Sequence, residues 1–440
     1  MQTISYLNNP SAVCDYSITF ENREESVVEA VRRVIPSWKS AVTADTKLTT
    51  LTGGITNTMY LLKWKEESVI VRLFGENTEL IIDRNAENKL FAALAKLGMG
   101  CPTFHGLFKN GRVEGALNAR SITPDEMKQP YVYRRVAAAA ARFHTRGSTI
   151  DATVISHQNR MHSPAPGLFW QYYELAHGIV SRAEGARRAK LDALNVAGMR
   201  EEIEWLTGWL QARAAESRTA ALNLPLVDAA ERTVFIPANM LVDTANHCKI
   251  ARFLAFQEVL CHHDLLSGNI MIDHKLDELV KAGKEPRDTE GITFIDYEYS
   301  AFTYRAFDIG NFFCEFAGFD NSIEDTYPDA GTRQAVIRAY FDACAAEAEQ
   351  REVNAMDIEA RIWRYWQGLR TDGSAEAAAA ADSLVQEFEV VANQLTLCAH
   401  LLWFVWGIVQ DEYSANDFDY ADYSRVRLEG YKYHKKCYHS

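Results

Sequence analysis

Three short segments near the start of the chain, Lys47–Leu51, Met59–Trp64 and Ser68–Phe74, are rich in β-branched and aromatic residues. The first two flank a glycine turn and the third follows a charged one, which predicts an antiparallel meander. From Asp83 to Leu97 the period changes. Leu90, Leu94 and Leu97 fall at helical spacing, and Gly98 supplies a stop. Thr103–Val113 then predicts a return to one or two strands, with Lys109-Asn110-Gly111 as a hairpin turn.

Past about residue 118 the pattern becomes helical, over Tyr131–His144, Arg200–Ser217, Thr332–Gln350 and the long stretch Ser383–Tyr413. The tracts Ala137–Ala141 and Ala377–Ala381 reflect helix propensity rather than low complexity. Ser163-Pro164-Ala165-Pro166-Gly167 predicts a linker, and Asp277–Gly291 a charged insertion between two strands. No internal repeat is present. The expected architecture is α+β and bilobal: an N-terminal extension (1–25), a small β-rich lobe (26–118) and a larger, mainly helical lobe (119–440).

Composition narrows the partners. The 440 residues carry 46 Lys+Arg against 59 Asp+Glu, a formal charge of −13, which disfavours a nucleic-acid partner. The acid surplus suits a cationic ligand, although solubility alone accounts for it. Eight cysteines are scattered without a C-x-x-C pair, as expected of reduced thiols. No signal peptide is read at Met1–Asp15. The most apolar stretch, Leu395–Val409, contains His400 and falls short of the ~20 residues that span a bilayer. A cytoplasmic protein with no transmembrane segment is expected.

The chemistry concentrates in two segments. In Leu260-Cys261-His262-His263-Asp264-Leu265-Leu266-Ser267-Gly268-Asn269-Ile270, an Asp and an Asn stand five residues apart in a turn before an apolar strand. In phosphoryl transfer such an Asp accepts the proton of the attacking hydroxyl, and the Asn amide oxygen ligates Mg²⁺. Thr293-Phe294-Ile295-Asp296-Tyr297-Glu298-Tyr299 is a second apolar strand ending in a carboxylate. It follows in the order of catalytic loop, then metal aspartate, and the combination offers the oxygen ligands that Mg²⁺ prefers. Ordinary turn residues would explain either segment alone.

The run Phe294-Ile295-Asp296-Tyr297-Glu298-Tyr299-Ser300 to Phe307-Asp308-Ile309-Gly310-Asn311-Phe312-Phe313-Cys314-Glu315 resembles the defining motif of choline/ethanolamine kinases, and the likeness extends from about residue 48 to 436. The resemblance implies a protein-kinase-like fold, ATP and Mg²⁺ as cofactors, and a small amino alcohol as substrate. Its phosphorylation would be the first step of phospholipid head-group synthesis. By that resemblance Asp264 is the catalytic base, Asn269 and Asp296 hold the metal with help from Glu298, and Asp308 braces the catalytic loop. Two positions depart from the family, which usually has Asn at His263 and at Thr303.

Upstream, Gly53, Gly54, Thr56 and Asn57 would form the turn that covers the phosphates. Arg72 stands where protein kinases carry Lys, so it is expected to position phosphate oxygens and to pair with Glu87. Glu114–Leu117 would supply hinge backbone for adenine. A protein kinase proper is disfavoured, because there is no G-x-G-x-x-G, no V-A-I-K lysine and no A-P-E.

Trp403 and Trp406 share one face of the last long helix, and Tyr423 follows. Such a stripe by itself reads as core. The family resemblance assigns these rings, with Tyr299 and Glu315, to the substrate's ammonium group, in keeping with cation–π attraction. Gly75–Arg84 and Glu315-Phe316-Ala317-Gly318 resemble ethanolamine kinases most closely, so ethanolamine is expected ahead of choline, with dual use open. The competing readings are a choline kinase proper, an aminoglycoside-type phosphotransferase and a catalytically inert kinase-like scaffold. A homodimer is admitted as a further expectation.

Overall fold

Strands with one apolar face need a partner layer, and each of the predicted strands finds one. The computed structural model describes residues 13–51, 57–75, 82–154, 167–221, 224, 243–284, 291–319, 322–350, 357–414 and 417–439. Its first sheet contains β1 (Val13–Cys14), β2 (Thr46–Leu51), β3 (Asn57–Trp64), β4 (Glu67–Phe74), β5 (Phe104–Phe108) and β6 (Gly111–Gly115), in the order β1-β5-β6-β4-β3-β2. All neighbours are antiparallel except β1 and β5. The register sets Met59 opposite Arg72 and Arg72 opposite Arg112, so the two arginines are directly paired across adjacent strands.

Helix α1 (Arg23–Val34) covers this sheet and completes a small core in which Val27, Val31, Trp38, Tyr60, Leu62, Val71 and Val113 are buried together. Trp38 and Trp64 stand 5.4 Å apart between ring centroids. Neither α1 nor β1 is among the predicted elements, and residue 26, the expected start of the lobe, lies within α1.

Helix α2 (Arg84–Lys96) matches the predicted helix. Asp83 caps it by accepting bonds from Asn85 N and Ala86 N, and Gly98 follows at φ +64°. Its apolar side, Leu90, Phe91 and Leu94, joins the second, larger core rather than the sheet's own.

That larger core is organised by helices. The relevant ones are α3 (Pro130–Gly147), α4 (Leu168–Arg182), α5 (Met199–Ala221), α6 (Thr244–Ala255), α7 (Arg305–Cys314), α8 (Ala330–Glu349), α9 (Ile358–Asp372), α10 (Ala375–Tyr413) and α11 (Tyr420–Tyr438). The alanine tracts fall inside α3 and α10, where small side chains permit close packing. Helix α10 runs for 39 residues and packs against α4, α6, α7 and α11. By length and composition it is apolar enough to cross a membrane, but 89% of its most apolar window is buried inside the protein. Most of the predicted linker lies outside the described residues, and a short helix, His274–Lys281, runs from the preceding strand into the charged insertion.

Short strands frame the loops of interest. β9 (Ile270–Asp273) lies between β7 (Ala119–Ser121) and β10 (Ile292–Phe294), while β8 (Glu258–Cys261) pairs with β11 (Ala301–Tyr304). The loop 262–269 therefore leaves one sheet and enters another, and Asp296 emerges just beyond β10.

Helices α7 and α10 approach so closely that a Cβ on Gly310 would stand 2.5 Å from the Ala392 carbonyl oxygen. A backbone atom cannot rotate away. Gly310→Ala is expected to cost about 1–3 kcal/mol through overpacking and to lower the thermal midpoint by several degrees. An unchanged midpoint in a thermal melt would refute this close contact.

Candidate active site

The loop after β8 is held by one carboxylate. Asp308, in the first turn of α7, accepts the backbone N–H of His262 at 2.6 Å and of His263 at 2.8 Å. His144 Nε2 lies 3.0 Å from the same carboxylate, with its Nδ1 at 2.6 Å from the Tyr340 hydroxyl. Arg305 donates to that hydroxyl at 2.9 Å. Burial would raise the Asp308 pKa, but the bond to His144 and the nearby imidazoles hold it below the usual carboxylate range.

His263 sits at φ +70°, a left-handed conformation that Asn and His enter more readily than most residues. The brace uses its backbone N–H, so the His-for-Asn departure leaves that bond intact. Thr303 lies within β11, opposite Val259.

On the reacting face, Asn269 Nδ2 donates to Asp264 Oδ2 at 2.8 Å and to the Asp264 carbonyl at 3.0 Å. The pKa of Asp264 is pushed well above normal by burial, and then by the charges of Glu315, Asp296 and Glu298, against the lowering bond from Asn269. Asp296, at φ +66°, accepts from Arg72 Nη1 at 3.1 Å through Oδ2. Its other oxygen is buried with no hydrogen-bond partner among the described residues. Glu298 accepts from Arg84 at 2.9 Å and from Asn57 at 3.4 Å. Burial, and then Asp296, raise it to about 7 despite Arg84.

The expected ion pair between Arg72 and Glu87 is replaced by a longer network. Arg72 bonds Glu114 at 3.1 Å and Asp296 at 3.1 Å. Glu87 pairs with Arg112 and Arg84 instead. The reason is register: Arg112 faces Arg72 across the sheet and reaches Glu87 first, leaving Arg72 to share Glu114 with it. The arginines Arg112, Arg84 and Arg72 overcome the effect of burial and hold Glu87 at about 2.

Carboxylate oxygens of Glu87, Asp296 and Glu298 lie within 4.8 Å of one another. All three carboxylates are engaged by arginines, and the unsatisfied oxygen of Asp296 is the atom best suited to a hard cation. The Asn269 amide oxygen stands opposite an amide nitrogen already used on Asp264. This donor set fits Mg²⁺. Asn57 is directed to Glu298 and Arg84. The rest of the expected phosphate-covering turn, Gly53, Gly54 and Thr56, lies outside the described residues.

The predicted aromatic residues do converge. Tyr299 stands 5.3 Å from Trp403, Trp403 stands 5.5 Å from Trp406, and Trp406 stands 5.9 Å from Tyr423, measured between ring centroids. Trp406 Nε1 donates to the Tyr299 hydroxyl at 2.8 Å, and Trp403 Nε1 to Asn311 Oδ1 at 3.1 Å. Asn311 donates in turn to the His263 carbonyl at 3.1 Å, which ties the aromatic cluster to the loop. Glu315 is buried beside this cluster and bonded to Arg427 at 2.7 Å.

Participants with no role in the sequence reading include Arg84, Arg112, His144 and Arg427. Two carried a usable signal. Arg112 and Glu114 are two apart on a strand and share a face, and Arg427 lies four residues after Tyr423 on a helix. Nothing local marks His144, whose partners are distant in the chain, and of Arg84's partners only Glu87 is near.

The family model for choline/ethanolamine kinase matches residues 48–432. Probable choline kinase 2 of Arabidopsis thaliana is 25% identical over 414 residues, spanning 92% of this chain and 90% of its own length. Ethanolamine kinase 1 of Homo sapiens is 24% identical over 426 residues, spanning 94% and 74%. Among solved structures, an ethanolamine kinase of Plasmodium vivax aligns with a TM-score of 0.61 at 20% identity, covering 94% of this chain and 91% of that one. A choline kinase of Cryptosporidium parvum gives 0.60 at 19%, covering 93% and 94%. These two structures share the fold.

Behind Glu315, His400 Nε2 lies 3.2 Å from His434 Nδ1 and 3.6 Å from Cys314 Sγ. Burial depresses both imidazoles, His434 from 6.5 to about 3 with Arg333 adding to the effect. The unfolded chain therefore binds more protons than the folded one between those values. This contribution to stability is complete above pH 6.5 and is lost as pH falls toward 3, by at most about 1.4 kcal/mol per pH unit for each imidazole. The thermal midpoint should fall between pH 6.5 and 4, and His434→Gln should flatten that slope. An unchanged slope in the variant would contradict the assignment.

Proposed function

The chain belongs to the choline/ethanolamine kinase family, and on that premise we propose that it transfers the γ-phosphoryl group of ATP to the hydroxyl of a small amino alcohol, ethanolamine in preference to choline. The observation that carries this reading is the clustering of acids around Asp264. Burial, and then Glu315, Asp296 and Glu298, raise its carboxyl, and a cationic substrate beside it relieves the repulsion among these acids. A raised carboxyl pKa also suits a base working near neutral pH.

In this scheme Asp264 takes the hydroxyl proton while the bond from Asn269 fixes its orientation. The hydroxyl oxygen attacks γ-phosphorus in line, the bond to the bridging oxygen breaks, and ADP leaves. Asn269 and Asp296, with help from Glu298, would hold Mg²⁺, which would supply neutralisation of phosphate charge. Arg72 fixes Asp296 and, among the described residues, no group accepts a bond from its Nη2, which is assigned to a phosphate oxygen. Tyr299, Trp403, Trp406 and Tyr423 face the ammonium, with Glu315 as its counter-charge. The nucleotide is assigned to the lobe at 26–118, including the turn Gly53, Gly54, Thr56 and Asn57, and the amine to the lobe at 119–440. The likeness of Gly75–Arg84 and Glu315–Gly318 to ethanolamine kinases supports the order of preference.

A coupled ADP-release assay over a panel of amino alcohols tests the proposal. Ethanolamine should give the highest kcat/KM, and release of ADP with none of the amines would sink it. Asp264→Ala should lower turnover by about 10²–10⁴-fold while the thermal midpoint holds. Near-normal turnover in that variant would remove Asp264 from the mechanism. Chelation of divalent cations should abolish activity and added Mg²⁺ restore it.

A further inference from the structure

The cation-binding corner of the aromatic cluster already contains a cation. Arg427 and Glu315 are 5% and 4% exposed, so the pair is sealed from water. Arg427 Nη2 donates to Glu315 Oε1 at 2.7 Å, its Nε donates to the Tyr423 hydroxyl at 3.0 Å, and its Cζ lies 5.0 Å from the Tyr423 ring centroid. These are the contacts an ammonium group would seek: a carboxylate oxygen, a hydroxyl and an aromatic face. The neighbouring polar atoms are also engaged. The Tyr299 hydroxyl takes the Trp406 indole N–H, and Asn311 Oδ1 takes that of Trp403. Among the described residues, no group donates to Glu315 Oε2.

We infer that Arg427 is a specificity-determining residue for the amine, acting through Glu315. The inference rests on the amino-alcohol reading above. A primary ammonium brings three N–H donors and needs acceptors for them once water is stripped away, whereas a quaternary ammonium has none and needs only aromatic faces. By holding Oε1 and the Tyr423 hydroxyl, the guanidinium leaves Oε2 and the rings. Its repulsion is felt equally by both kinds of ammonium and cancels in their ratio. The acceptor supply does not cancel. Arg427 thus restrains the preference for a primary amine, and its removal releases charged acceptors that only the primary amine can use. Arg427 is a positioning residue in this scheme, since it acts by fixing which oxygens of the pocket face the substrate.

The experiment compares kcat/KM for ethanolamine with kcat/KM for choline in the full-length wild type, Arg427→Lys and Arg427→Gln. The ratio should rise by about tenfold or more in Arg427→Gln, the worth of one charge-assisted hydrogen bond, and the change should sit in KM rather than kcat. Arg427→Lys keeps the charge but cannot hold Glu315 and Tyr423 with one planar fork, so it should rise by about two- to threefold. A ratio unchanged in folded Arg427→Gln overturns the inference. If that variant does not melt cooperatively, Arg427→Lys decides, and a wild-type ratio there overturns it equally. These failures are distinct from an inactive wild type, which would instead sink the proposed function.

Discussion

Much of the site depends on one buried carboxylate. Asp308 accepts two successive backbone N–H groups, so the loop leaving β8 has a single way to turn. His263, which carries the second of these N–H groups, is left-handed, and its carbonyl accepts from Asn311. The turn then presents Asp264 beside Asn269. Because Asp308 and Asn311 both stand on α7, the helix that braces the loop also grips its His263 carbonyl and the Trp403 indole. The predicted base and the aromatic cluster are therefore fixed to one rigid element, whose separation from α10 is set by a glycine without a side chain.

The charges of the cleft form two groups. Arg72, Arg84 and Arg112 interleave with Glu87, Glu114, Asp296 and Glu298 near the sheet, while Arg427 answers Glu315 near the aromatic cluster. Asp264 has no arginine of its own among the described residues, and acids of both groups, Glu315, Asp296 and Glu298, raise its carboxyl after burial does. Buried ion pairs bring little net stability, because desolvation consumes most of their attraction. Their value here is positional, since each carboxylate has a defined orientation.

The strands and longest helices were legible because their patterns are local. Lys47–Leu51, Met59–Trp64 and Ser68–Phe74 needed only β-branched content, and the helix after Asp83 needed only its leucine spacing and a cap. The meeting of the Asp264 and Asp296 segments was readable through motif order. Partner choice was not. Arg72 was expected to meet Glu87, yet cross-strand register gave Glu87 to Arg112, and register depends on pairings 40 residues distant in the chain. Arg427 was passed over for a similar reason: its spacing from Tyr423 was visible, but not that Glu315, on a different helix, would lie within reach. The β1 strand is too short to carry a pattern.

The seam between the sheet and the segment carrying Asp296 responds to ionic strength. The side chains of β3 and β4 that cross it, Asn57 to Glu298 and Arg72 to Asp296, do so through polar atoms. Parting the seam exchanges ion pairs for hydrated ions, beside the ring contact of Phe91 with Tyr297. Dissolved salt screens the charged partners, so it shifts the balance of that opening.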